Sequence, residues 1–313
     1  VVIPGAPCPW AEDLPMAHRV AARLDIPLVV KDVSAAYERE VLAPMIAAYR
    51  AGETPNPDTT CNRWVKFEAL REVACVMDAE RIATGHYARV VRTLNGALEL
   101  HRGADPVKDQ SYFLWMLTTE QLLCTEFPLG TWRKTMVREE AQRRDLPNWD
   151  RHSTSGVCFL GNVDLPTFLA SRTAVTPATV VTTAGETIGA VPSGEAMTVG
   201  QRVSIGGQPS PRYVVKNDLA ARRVIVSARP DDPARSTHIV RTRIPTWIGR
   251  PPLLPLHAHA RIRHRQEPQP CTVVAVADGG LVVTFDDALF GVAPGQAVVI
   301  SHGARVFGGA TIV

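Results

Sequence analysis

Long apolar runs are missing from this chain of 313 residues. No stretch approaches the roughly 18 uninterrupted apolar residues of a membrane-spanning helix. Nor does a basic segment followed by an apolar run open the chain, as an export signal would. A cytoplasmic protein that does not engage the membrane is therefore expected. Cysteine is scarce: there are six, at positions 8, 61, 75, 124, 158 and 271, with no CxxC pair and no Cys/His finger spacing. That excludes a disulfide scaffold and a structural zinc site, so no metal ligands are expected. In a reducing compartment these residues are thiols, and a disulfide among them would be catalytic. A dominant charge sign is also absent, since 34 basic residues stand against 31 acidic ones for a net charge of +3. Only the distribution is informative: residues 230–270 hold seven Arg against three acids, which places positive potential late in the chain.

What is present falls into two textures. From Ala11 to about Gly161 helical and strand patterns alternate, as in α/β proteins with a parallel sheet, which bind ligands at the carboxyl ends of their strands. Met16, Val20 and Leu24 recur every four residues and predict a helix, and "IPLVV" reads as a short buried strand after it. Ser34 is expected to cap a helix carrying Val41, Met45 and Tyr49, with Gly52 ending it. "ETPNPDTTCN" is a proline-stiffened loop, and a helix from about Arg63 is expected to bury Phe67, Leu70, Ala74 and Met77. Asn95-Gly96 predicts a hairpin with a type I′ turn. Helices are expected within "TTEQLLCTEF", "WRKTMVREEAQRRDL" and "DLPTFLASR". Beyond about Arg172, short Val/Thr/Ile runs between Gly, Pro and Asp predict β-structure. The expected division is an α/β domain over 1–165, a small β-rich domain over 166–230 and a C-terminal β-barrel over 231–313.

Five stretches could carry chemistry. In "TPNPDTTCNRWVKF" a thiol at the start of a helix would feel the positive end of its dipole, with Asp58 three residues before Cys61 to exchange a proton or hold a substrate N–H. Asp58 and Asn62 are equally ordinary capping residues around an inert thiol. "ATGHYAR" places Gly85 and His86 where a strand ends, a turn glycine and a surface histidine being the plainer reading. "DPVKDQSYFLWML" sets Lys108 where it could meet phosphate, with Asp109 and Gln110 able to read a base or ribose, or forms a solvated turn. "ARIRHRQ", read as a strand, points Arg261, Arg263 and Arg265 to one face, which calls for an anion such as a nucleic-acid backbone, or else charges a protected sheet edge. "GVCF" holds Cys158, either a buried filler or a reactive sulfur.

Together and in order, "AGETPNPDTTCNRWVKF", "IATGHYAR", "KDQSYFL", "SGVCF", "RIRHRQ" with "PC" beyond it, and "APGQAVV" resemble the tRNA-specific 2-thiouridylase family, of the bacterial MnmA type and its mitochondrial relatives. The likeness runs from about Cys8 onward, and the 97-residue interval between Cys61 and Cys158 is that of the family. It implies an adenine-nucleotide alpha-hydrolase-like α/β domain followed by the β-rich domain and barrel. It implies an ATP-dependent sulfurtransferase, with Mg2+, that adenylates the C2 oxygen of wobble uridine-34 in Lys-, Glu- and Gln-type tRNAs and replaces it with sulfur. A sulfur-relay protein or cysteine desulfurase would donate a persulfide to Cys158. Cys61 would resolve it, with or without a Cys61–Cys158 disulfide, and Asp58 would act as general acid/base. Asn56 and Pro57 would lie beside the target base, and Gly85 against the nucleotide. His86, Lys108, Asp109, Gln110, Arg263, His264 and Gln296 would contact tRNA. A persulfide suits the reaction because it donates sulfur better than a thiol and needs one cysteine to carry it and another to resolve it.

The family's SGGxDS phosphate loop does not occur in this sequence, which opens on Val1 as though from the middle of a longer protein. An N-terminal truncation with weak ATP binding is the corresponding expectation. "MTVGQRVSIGG" is shorter than the family's usual run, and His264 stands where Tyr is common. A noncatalytic RNA-binding remnant, or another ATP-pyrophosphatase acting on a small carboxylate, are the alternative readings.

Overall fold

The computed structural model describes residues 10–151 and 164–313. Helix α1 (Trp10–Leu24) is followed by a continuous helical stretch made of α2 (Ser34–Tyr37), a wide π turn (Glu38–Leu42) and α3 (Ala43–Arg50). A second such stretch comprises α4 (Pro57–Cys61), a π turn (Asn62–Lys66) and α5 (Phe67–Val76). Strands β1 (Ile82–Ala83), β2 (Ala88–Arg92), β3 (Leu98–Arg102) and β4 (Thr125–Glu126) come next, with α6 (Thr119–Leu123) before β4 and α7 (Lys134–Arg143) and α8 (Leu165–Arg172) after it. The parallel sheet of the α/β region is represented by β1 beside β4.

The β-rich half forms two sheets. The five-stranded one contains β5 (Ala178–Thr182), β6 (Thr187–Val191), β7 (Arg202–Val203), β8 (Arg212–Asp218) and β9 (Arg223–Ser227). The other contains β10 (Ser236–Arg241), β11 (Thr246–Trp247), β12 (Leu256–Arg261), β13 (Gln269–Ala275), β14 (Leu281–Phe290), β15 (Ala297–His302) and β16 (Arg305–Thr311). It closes as a barrel where Thr242 bridges Ile312 and Val313 donates to the Arg241 carbonyl. Alternation builds its core: Leu281, Val283 and Phe285 of β14 point inward against Ala258 and Ala260 of β12. The β2–β3 hairpin, although it ends more than a hundred residues before β10, pairs through β3 with β16 and extends the barrel's sheet. Among the described residues no helix is long and apolar enough to cross a membrane.

Several local expectations are corrected. "IPLVV" forms no strand, and Ile26, Val29 and Val30 are exposed, because no described strand lies beside it to take its backbone groups. Ser34 is the first helical residue, and its N–H donates to the Asp32 carboxylate, so Asp32 supplies the capping oxygen. The helix expected from Arg63 begins at Pro57, where proline's missing N–H costs nothing. Met77 falls just past its end and is exposed. The hairpin turns through a type I geometry closed by Gly96 N–H to Thr93 O, with Gly96 alone at positive φ (82°), so the pair is not type I′. Strand β12 ends at Arg261, and "IRHR" is a turn. The three arginines therefore do not share a strand face.

The short 3-10 helix Ser111–Leu114 joins the layers. The buried Tyr112 hydroxyl lies 3.1 Å from Ile262 O and 3.0 Å from Ala297 O, where β12 and β15 border the α/β region. Burial pushes that phenol up to about 12. Tyr112→Phe keeps the ring but removes the one proton that the Ile262 and Ala297 carbonyls share, and is expected to cost about 2 kcal/mol of unfolding free energy in denaturant titration. A loss under about 0.5 kcal/mol would show that the hydroxyl does not join the layers.

Candidate active site and RNA interface

The proline loop is held from the barrel side. Thr54 N–H donates to Pro294 O at 2.7 Å, and the Gln296 carboxamide returns a bond to Thr54 O at 2.8 Å. Between them, Gly295 sits at φ +88°, where a Cβ would fall 2.8 Å from Thr54 N. Only glycine lets the two loops approach this closely. Arg243 pairs with Glu53 beside the contact, and Thr54 Oγ1 reaches Thr198 Oγ1 of the five-stranded half at 3.1 Å. Gln296, expected at tRNA, thus spends its amide on the loop.

Asn56 then caps α4: its Oδ1 accepts from Asp58 N, while Thr59 and Thr60 hydroxyls donate to its carbonyl. Because the helix starts at Pro57, Cys61 lies beyond the first turn, where the dipole's reach has faded; the expected placement of the thiol at a helix start is corrected. Asp58 occupies the first turn instead. Asp58, Cys61 and Asn62, at spacings of three and four, share one helical face. Cys61 is fully buried in the core that α2, α3 and α4 form with the five-stranded sheet. Asp58 Oδ1 and Asn62 Oδ1 are both buried acceptors with no hydrogen-bond partner among the described residues. Asn62 Nδ2 donates to Phe113 O at 3.1 Å, which fixes this face against the KDQSYF segment. Cys158 lies outside the described residues, as does any contact it makes with Cys61.

At the carboxyl end of β1, Gly85 is exposed, and a Cβ there would meet only Leu129 Cδ1 at 3.9 Å. The fold does not need glycine at this position; the space is open to a ligand. His86 follows, with Nδ1 2.8 Å from Thr84 Oγ1 and its ring packed at 5.7 Å against Phe67 and 5.9 Å against Phe127. Burial, with help from the Lys66 charge, lowers its pKa to about 4. At neutral pH it can meet RNA only as a neutral hydrogen-bonding ring.

Asp109, expected at tRNA, faces inward, and Gln110 is held by the backbone of Tyr87. Gln110 Oε1 accepts from Tyr87 N at 3.0 Å, and its own N–H donates to Tyr87 O. Asp109, 1% exposed, accepts from Gly103 N, from Ser111 N and Oγ, from Arg102, and from Arg261 at 3.0 Å. The anion that Arg261 faces is therefore Asp109 and not a nucleic acid. Sequence reading missed this pair because its members lie 152 positions apart; Arg102, only seven residues from Asp109, carries no local pattern that marks it. His264 donates from Nε2 to Asp109 O and lies 4.5 Å from the Phe113 ring. Arg263 donates to Val199 O and Gly291 O, bridging the two β units, so its guanidinium is engaged within the protein. Lys108 forms no ion pair among the described residues.

These positions bring the carboxyl end of β1, a carboxylate–thiol helix face and a barrel together. Residues 3–162 match the family model described as the tRNA methyl transferase HUP domain, and residues 237–312 the aminomethyltransferase beta-barrel domain. The class is thus a HUP-type α/β domain followed by a β-barrel. The tRNA-specific 2-thiouridylase MnmA of Hydrogenovibrio crunogenus is 37% identical, the match covering 97% of this chain and 82% of the relative. Those of Ralstonia pickettii and Stenotrophomonas maltophilia K279a are 38% and 39% identical, each over 97% of this chain and over 84% and 82% of the relative. The chain belongs to the tRNA-specific 2-thiouridylase (MnmA) family.

Two outcomes are expected. Burial alone would raise the Asp109 carboxyl, but Arg261 and the N–H groups of Gly103 and Ser111 outweigh it and hold it below the usual carboxylate range. A depressed folded pKa contributes stability above the unfolded value, near 3.9, that is lost only as pH falls through the folded one. Asp109→Asn should therefore cost about 3 kcal/mol at pH 7, by leaving Arg261 buried without its anion. Its penalty should shrink below about pH 4; a penalty constant down to pH 2 would remove the ion pair as its cause. For His86, NMR titration of the ring should give a midpoint near 4. A midpoint at or above 6 would contradict its packing.

Proposed function

We propose that this chain thiolates tRNA, replacing the C2 oxygen of wobble uridine-34 in Lys-, Glu- and Gln-type tRNAs with sulfur from a persulfide on Cys158. Family membership supports the reaction class. The observation that carries the residue assignment is the unpartnered, buried Asp58 Oδ1 on the helix face that holds Cys61. A buried acceptor without a donor is costly, and a substrate N–H or a thiol proton would satisfy it.

ATP, when bound with Mg2+, supplies the activation that makes the C2 oxygen a leaving group; Gly85, open at the end of β1, is the described residue suited to lie against it. Cys61 thiolate attacks the inner sulfur of the Cys158 persulfide. The S–S bond breaks, hydrosulfide departs, and its lone pair forms the C–S bond at C2 as the C–O bond breaks. A Cys61–Cys158 disulfide remains and is reduced by an external thiol before the next turnover. Asp58 takes the Cys61 proton and returns a proton to the departing group. Asn56 and Pro57, rigidified by the cap and by the barrel contact, border the target base. His86 meets the RNA as a neutral ring and Lys108 as a charge. A sulfur-relay protein or cysteine desulfurase is the donor, and the reducing setting that the thiols need is cytoplasmic.

With tRNA, ATP and a persulfide donor, 2-thiouridine should be detected by mass spectrometry of nuclease digests. Cys61→Ser and Cys158→Ser should abolish it, and Asp58→Asn should slow it by about a hundredfold or more. Full activity in Asp58→Asn would remove it from proton transfer. ATP turnover with a small carboxylate and no need for tRNA would sink the assignment.

A further inference from the structure

One cluster of cations, at the start of α7, has no ion pair among the described residues. Asp105, 9% exposed, accepts Lys134 N at 2.9 Å, Val107 N at 3.0 Å and Lys108 N at 3.3 Å. A single carboxylate therefore holds the start of α7 against the KDQ segment, and the side chains of Lys108 and Lys134 leave from neighbouring points. Arg133 precedes Lys134, and Arg138 lies one turn along the same helix face. None of these four cations forms an ion pair among the described residues, whereas Arg143 and Arg144 at the far end of α7 share Glu140. Asp105 is the nearby acid, and its oxygens are taken by main-chain N–H groups. Lys134 Nζ stands 5.8 Å from the Tyr87 ring. Tyr87 is 6% exposed, and its hydroxyl has no hydrogen-bond partner among the described residues. Tyr87 directly follows His86 and is bonded at both backbone groups to Gln110, so the cluster adjoins the rim of the site.

We propose that Lys108, Arg133, Lys134 and Arg138 form a docking surface for the ribose-phosphate backbone of the substrate RNA near its wobble base, with the Tyr87 hydroxyl as a further donor. This rests on the tRNA reading and adds Arg133, Lys134, Arg138 and Tyr87 to it. Clustered cations repel one another, and the cost is recovered when an anion sits across them. Lysines on flexible stems meet phosphate as point charges, and each neutralised phosphate releases counterions. Arg143 and Arg144 at the far end of α7, already paired with Glu140, are excluded from the surface.

Fluorescence anisotropy with labelled tRNA, without ATP or sulfur donor, isolates binding from chemistry. The Lys108→Ala/Lys134→Ala/Arg138→Ala variant should bind about ten- to a hundredfold more weakly near 0.1 M salt, and its slope of log affinity against log salt should flatten by about two to three. An anticodon stem–loop RNA should show the same loss. Arg143→Ala/Arg144→Ala, checked for folding by thermal unfolding, should keep the wild-type slope. An unchanged slope in the triple variant, with wild-type binding intact, overturns the surface and leaves the thiolation reading standing. If the triple variant binds RNA normally but accepts sulfur more slowly from a protein donor, the surface serves a protein partner and the proposal is wrong. Wild-type protein that binds no tRNA would instead sink the thiolation reading itself.

Discussion

A carboxylate and a guanidinium 152 positions apart, Asp109 and Arg261, share a site from which water is excluded. Taking either charge out of water alone would cost several kcal/mol, so neither region can hold its geometry without the other. The segment that Asp109 anchors carries Ser111 to Asp109 itself, Tyr112 to the turn after β12 and to β15, and Phe113 to Asn62 and His264. The helix face of Asp58 and Cys61, the strand end at His86 and the barrel turn at Arg263 and His264 are thus positioned by one short 3-10 helix.

The barrel does more than cap the molecule. Through Pro294, Gly295 and Gln296 it grips Thr54 and Pro55, so the loop that opens the reactive helix is stretched between a helix cap and a barrel loop. Restricting the loop in this way removes conformations that a catalytic face would otherwise have to freeze out. The same barrel sheet admits β2 and β3, which lead from the His86 strand end toward the Asp109 segment. The Asp58–Cys61 helix face, the β1 end and the barrel are consequently one mechanical unit.

Charge divides along the same lines. Arg261, Arg263 and Arg102 are used internally, on Asp109 or on carbonyls. The arginine-rich run that looked like the RNA surface is mostly architecture, while Lys108, Arg133, Lys134 and Arg138 gather at the KDQ segment and the start of α7 without an ion pair among the described residues. Buried arginine tolerates this role because its charge persists and its fork satisfies several acceptors at once.

The sequence by itself determined the order of elements, the β-rich second half, the reactive residue types and the family, because each is written in local spacing and composition. The alternating strands of the barrel are local physics, legible without coordinates, whereas the Asn56-Pro57 helix start reads locally as a proline loop and only the coordinates reveal it. Tertiary structure alone decided that "IPLVV" stays unpaired, that Asp109 turns inward while Gln110 and Gln296 hold neighbouring backbone, that "IRHR" is a turn, and that a hairpin from the first half joins the barrel. The reason is that a polar side chain or a strand edge is defined by the partner that satisfies it, and these partners lie tens to hundreds of residues away, beyond the reach of any local pattern.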